Sequence, residues 1–92
     1  MVTRQIHVKG RVQGVGYRGA FQQRARTLGI TGWVRNRNDG SVEALVQGSH
    51  EALDAIVAWA RTGPPGARVT DVVTSNADHE PVYVRFELRA TC

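Results

Sequence analysis

Gln5-Ile-His-Val-Lys-Gly-Arg-Val-Gln-Gly-Val-Gly-Tyr-Arg-Gly-Ala-Phe-Gln-Gln-Arg-Ala-Arg-Thr-Leu28 changes its hydrophobic period midway, and that change decides the fold. Up to Lys9 the residues alternate, Ile6 and Val8 on one face and Gln5, His7 and Lys9 on the other, as in a half-buried strand. From Tyr17 the spacing is helical: Tyr17, Ala20, Phe21, Arg24, Ala25 and Leu28 recur on one side, and Gly29 stands where a C-terminal cap belongs. A strand therefore passes into a helix of about three turns through a glycine-rich turn.

Beyond this unit, Thr31 to Asn36 and Ser41 to Gln47 read as strands joined by Arg37-Asn38-Asp39-Gly40, whose Asp-Gly step supplies the positive φ of a hairpin turn. Leu53, Ile56, Val57 and Ala60 form a second helical stripe behind a candidate N-cap at Ser49, with Glu51 in the first turn. That helix ends at Thr62-Gly-Pro-Pro-Gly66. Arg68 to Thr74 is a strand with weaker alternation. Val82, Val84, Phe86 and Leu88 against Tyr83, Arg85, Glu87 and Arg89 predict a last one. The order β-α-β-β-α-β-β is that of an α+β, ferredoxin-like α/β sandwich: a mostly antiparallel five-stranded sheet, both helices on one face and the other face wet.

The 92 residues suit one domain with one core, and 41% apolar residues suffice to build it without disulfides or a structural metal. Cys92 has no partner for an internal bridge, and no apolar run reaches signal-peptide or membrane-spanning length, so a cytoplasmic protein is expected. The net charge of +4 favours anionic partners without choosing among metabolites, nucleic acid and membrane.

The turn Arg11 to Arg18, entered through Gly10, carries the chemistry. Three glycines in seven positions allow backbone N–H groups to converge on an anion, the helix N-terminus adds its dipole, and Arg18 offers a planar fork to two phosphate oxygens. Gly14-Val-Gly-Tyr-Arg-Gly19 formally matches a dinucleotide fingerprint, but the acidic residue about 20 positions on is Asp39, in a hairpin turn rather than closing a second parallel strand. A nucleotide P-loop fails because no Gly-Lys-Ser/Thr follows. His7, His50 and His79 lack metal-ligand spacing, no nucleophilic triad is suggested, and Trp33, Trp59 and Phe21 read as packing residues. Arg24, Arg26, Arg35, Arg37, Arg85 and Arg89 read as solvated faces that draw anions inward.

Gly10-Arg-Val-Gln-Gly-Val-Gly-Tyr-Arg18 and Gly32-Trp-Val-Arg-Asn36, followed by Asp39-Gly-Ser-Val-Glu43, resemble the two signature segments of the acylphosphatases. The likeness extends through Gly63-Pro-Pro-Gly-Ala-Arg68-Val and Phe86-Glu-Leu-Arg89, nearly the whole chain, so that residues 1 to 92 are expected to form one such domain. The resemblance implies that Arg18 binds the phosphoryl group and that backbone amides of Gln13, Gly14, Val15, Gly16 and Tyr17 complete the cradle. It further implies that Asn36 positions the attacking water, and that neither metal nor organic cofactor takes part. The expected partner is a small acyl phosphate, with phosphate or other anions also fitting the turn; no membrane is expected as partner, and a monomer is the expected state. An RNA-binding module of similar topology is disfavoured, because Ser41 to Gln47 has no aromatic residue on which bases can stack. A carbamoyl-phosphate-handling domain of a larger assembly is disfavoured by the apparent completeness of the chain.

Overall fold

A computed structural model describes residues 1 to 92. The elements are β1 (Val2–Arg11), α1 (Tyr17–Thr27), β2 (Thr31–Asn36), β3 (Val42–Gly48), α2 (His50–Ala60), β4 (Arg68–Asn76) and β5 (Phe86–Arg89). The sheet runs β4-β1-β3-β2-β5, with every pairing antiparallel except β2 with β5. The expected mostly antiparallel five-stranded sheet with two helices is thus observed.

Both helices end as the sequence indicates. After α1, Ile30 N–H donates to Ala25 O and Gly29 N–H to Arg26 O, the paired bonds of a Schellman motif with Gly29 at φ 73°. The motif turns Ile30 into the core, where it is 2% exposed. At the start of α2, Ser49 Oγ accepts from Ala52 N–H at 3.1 Å. The apolar faces of the helices meet the sheet through Tyr17, Phe21, Ala25, Leu53, Ile56 and Ala60 against Ile6, Val8, Val34, Val42, Ala44, Val46 and Phe86. Phe21 is fully buried, its ring centroid 5.8 Å from those of Trp59 and Phe86, and such burial stabilises by about 1.5 to 3 kcal/mol.

Two expectations need correction. The last strand is only Phe86–Arg89, because Val82 and Val84 are 71% and 85% exposed and lie outside the sheet. Period-two patterning describes side-chain direction, not pairing, and here the preceding segment is held elsewhere. Gln47, buried on β3, donates through Nε2 to Pro81 O at 2.6 Å and accepts at Oε1 from Tyr83 N–H at 2.8 Å. That clamp explains the second correction, since the face away from the helices is not simply wet. The returning chain places Ala77 and Tyr83 against Trp33 and Leu45, a small second core, and β3 is buried on both faces from Val42 to Gln47.

Candidate active site

β1 reaches the turn through an irregularity between Lys9 and Gly10 in its pairing with β4. Gly10 has φ 127°, and a Cβ there would lie 2.1 Å from Arg68 O, so the bend requires glycine. Past the bend, Val12 and Tyr17 are buried and Val15 packs against the same core, while Gly14 and Gly16 between them face solvent with φ 76° and 79°. Alternate residues thus anchor the turn from below and leave its backbone open above. Tyr17 is fixed further by its hydroxyl donating to Ala60 O at 2.8 Å, and its burial pushes the phenol's pKa well up, so the hydroxyl stays protonated. Gly63 makes room for the ring: a Cβ there would lie 2.7 Å from Tyr17 Cε2.

None of the seven backbone N–H groups from Gln13 to Gly19 donates to a backbone or side-chain acceptor of the chain. Gly16 caps α1 without a side-chain bond, and the first turn holds no acid. The result is a run of donors at the positive end of a helix dipole, the arrangement that receives an anion.

Arg18 is half-buried beside this run, and its Nη1 donates to Arg89 O at the end of β5 at 2.9 Å. Asn36 ends β2; its Oδ1 is buried and accepts no hydrogen bond. Two links bring the strand end to the turn and to Arg18's anchor. Gln13 Nε2 donates to Arg37 O at 2.7 Å and to Ser41 O at 2.8 Å, tying the glycine turn to the β2–β3 hairpin. Arg89 pairs with Arg35 in register, and Cys92 N–H donates to Asn36 O while Asn38 N–H donates to Cys92 O. Gln13, Arg18 and Asn36 therefore belong to one bonded neighbourhood, although 23 positions of sequence separate the first from the last.

The hairpin is stiffened from within. Asp39 Oδ1 accepts from Ser41 Oγ at 2.6 Å and from Ser41 N–H at 2.9 Å; these bonds, with Arg37 nearby, hold its carboxyl below the usual range. Glu43, buried and directly opposite Arg35, takes an ion pair from Arg35 at 2.7 Å and from Arg37 at 3.4 Å. Burial pushes that carboxyl up, but the Arg35 hydrogen bond and charge, helped by Arg37 and Gln5, outweigh it and leave it lowered.

The cations expected to be solvated are thus mostly engaged. Arg35 and Arg37 pair with Glu43, Arg26 donates to Phe86 O at 3.2 Å, and Arg89 lies over Trp33. Sequence reasoning also missed the Gln13 side chain and the Arg89 carbonyl, since no residue pattern announces a bond to a backbone oxygen 24 or 71 positions away. No group of three or more His, Cys, Asp or Glu is placed to hold a metal ion. The two surface cavities, of about 430 and 330 Å³, lie beside Trp59 and, between Gly10 and the hairpin, beside Asp39, and include neither Arg18 nor Asn36. Backbone donors that converge in a turn form a small concavity for an anion, and such a site need not be a deep hollow.

The acylphosphatase family model matches residues 4–88. Acylphosphatase of Thiobacillus denitrificans is 51% identical over 90 residues, covering 98% of this chain and 99% of its own. Acylphosphatase 1 of Ralstonia nicotianae is 58% identical over 89 residues, covering 95% of this chain and 86% of its own. The crystal structure of acylphosphatase from Bacillus subtilis superposes with a TM-score of 0.93 at 38% identity, covering 97% of this chain and 99% of that one.

Proposed function

The chain belongs to the acylphosphatase family and hydrolyses acyl phosphates, and on that premise we propose how its residues divide the work. The backbone amides of Gln13 to Tyr17 receive the phosphoryl oxygens. Arg18, steadied by one bond to Arg89 O, turns its remaining donors to the same group and stabilises charge that grows on it during transfer. Asn36, at the end of β2, presents its side-chain amide to the attacking water and so aims the water oxygen at phosphorus. The water oxygen bonds to phosphorus as the bond from phosphorus to the acyl oxygen breaks. The carboxylate leaves as a weak base needing no protonation, and the water's proton passes to the phosphate's own oxygen. A general acid is therefore unnecessary, in keeping with a site without a carboxylate or histidine among its proposed residues.

The observation that carries the assignment is the run of seven free amides beside Arg18, joined through Gln13 to the strand that ends in Asn36. The same proposal takes residues 1 to 92 as one catalytic unit acting as a monomer in the cytoplasm. No helix is long and apolar enough to cross a membrane.

The test is phosphate release from acetyl phosphate by wild type, Arg18→Ala and Asn36→Ala, with EDTA present. Each substitution should lower kcat/KM by on the order of 10³-fold while the folded state persists, and EDTA should change nothing. Folded variants that turn over near the wild-type rate would overturn the assignment.

A further inference from the structure

The partner that fixes Arg18 is a backbone oxygen at the end of a four-residue edge strand, and such an end frays unless something outside the ladder holds it. β5 pairs only with β2. Besides the backbone bonds of Cys92 with Asn36 and Asn38 just beyond it, its end has a support on the opposite face of the sheet from the helices. The Arg89 guanidinium carbon stands 4.9 Å from the Trp33 ring centroid and 5.5 Å from that of Tyr83, both within cation–π range. Arg35 also lies over Trp33, at 4.7 Å, but its charge is matched by Glu43, so Arg89 is the cation at this stack with no acidic partner. The Trp33 indole N–H is buried without an acceptor, so the side chain serves by its face alone. Tyr83 is brought there by Gln47, which takes its N–H.

We propose that Trp33 and Tyr83, by gripping the Arg89 side chain, are positioning residues that hold the Arg89 carbonyl and through it the catalytic guanidinium of Arg18. The inference rests on the assignment of Arg18 to the phosphoryl group. A misplacement of about 1 Å at such a group can cost on the order of 10²-fold in rate. The second core is thus the rear support of the site, and the sheet transmits its rigidity from one face to the other.

The test measures acetyl phosphate turnover and competitive inhibition by inorganic phosphate in Trp33→Leu, Trp33→Phe and Arg89→Met, each also on the Arg18→Ala background, beside urea unfolding. Trp33→Leu and Arg89→Met should lower kcat/KM by about tenfold and weaken phosphate in parallel, Trp33→Phe should recover most of the loss, and none should matter further once Arg18 is gone. Equal losses with and without Arg18, or wild-type kcat/KM in folded Arg89→Met, would overturn the proposal. If Trp33→Leu does not fold, Arg89→Met decides, since it keeps the stem and removes only the charge. Near-normal activity in Arg18→Ala alone would instead sink the Arg18 assignment on which the inference stands.

Discussion

Gln13 offers the most direct perturbation of the site without touching a group proposed to meet substrate through its side chain. Gln13→Ala deletes the bonds to Arg37 O and Ser41 O while leaving the backbone N–H of residue 13 in place. Both carbonyls keep another donor, Gly40 N–H for Arg37 and Arg37 N–H for Ser41, so neither is orphaned. At about 0.5 to 1.5 kcal/mol for each of two bonds, the stability loss is bounded at about 1 to 3 kcal/mol. For a domain of this size that is a fall in Tm of about 4 to 8 °C for each kcal/mol. The catalytic loss should be larger than the stability loss suggests, because the amide is what ties the glycine turn to the strand carrying Asn36. With that tether cut, two halves of the site drift independently, and kcat for acetyl phosphate should fall by about tenfold or more with a smaller change in KM. Steady-state kinetics together with urea unfolding separate the two effects. Wild-type kcat in a variant shown to have lost the stability would refute the tether, and a loss of stability below about 0.5 kcal/mol would refute the bonds themselves.

The remaining expectations concern the hairpin and the sheet. Glu43 ionises more readily in the fold than in the unfolded chain, so its contribution is complete above the ordinary glutamate value of 4.5 and is lost as the pH falls through the lowered one. Glu43→Gln should cost about 1 to 3 kcal/mol near neutrality and flatten the acid limb of a stability-versus-pH profile from urea titrations; an unchanged limb would count against the Arg35–Glu43 pair. Gly32 has φ 132°, and a Cβ there would sit 1.9 Å from Leu45 O, so Gly32→Ala should force β2 from β3 and destabilise by on the order of 3 kcal/mol, read by thermal unfolding. A stable, fully active Gly32→Ala protein would mean that the strands can shift apart at no cost.

The architecture was legible because its signals are local. The change of period across Gly10 to Gly16, Ser49 before α2 and Gly29 after α1 each act within a few residues of where they stand, and the structure uses all three as read. The twofold alternation at Val82 to Leu88 misled, since the clamp that draws Tyr83 beneath the sheet comes from Gln47, 36 positions earlier. A glutamine in a strand looks like a residue for the wet side, and only the returning chain shows that both ends of its amide are used. The same reason hid the support of the site. Arg18 and Asn36 stand out as types, whereas Arg89 contributes a carbonyl that every residue has, and Arg35, Arg37 and Arg89 as cations gave no sign that a carboxylate or an indole would occupy them.

The two helices are each eleven residues long, yet they begin differently. α2 is closed by Ser49 and Glu51, while α1 starts at a bare glycine with no acid in its first turn. A helix left open at that end takes part of its stability from the surrounding solution. On the proposed assignment, the amides that receive the substrate also receive the inorganic phosphate it becomes, so one ion both slows turnover and tightens the fold, the latter by a logarithm of its concentration over its Kd. Cellular phosphate then becomes a common setting for two quantities usually treated apart, the pace of the enzyme and its lifetime as a folded chain.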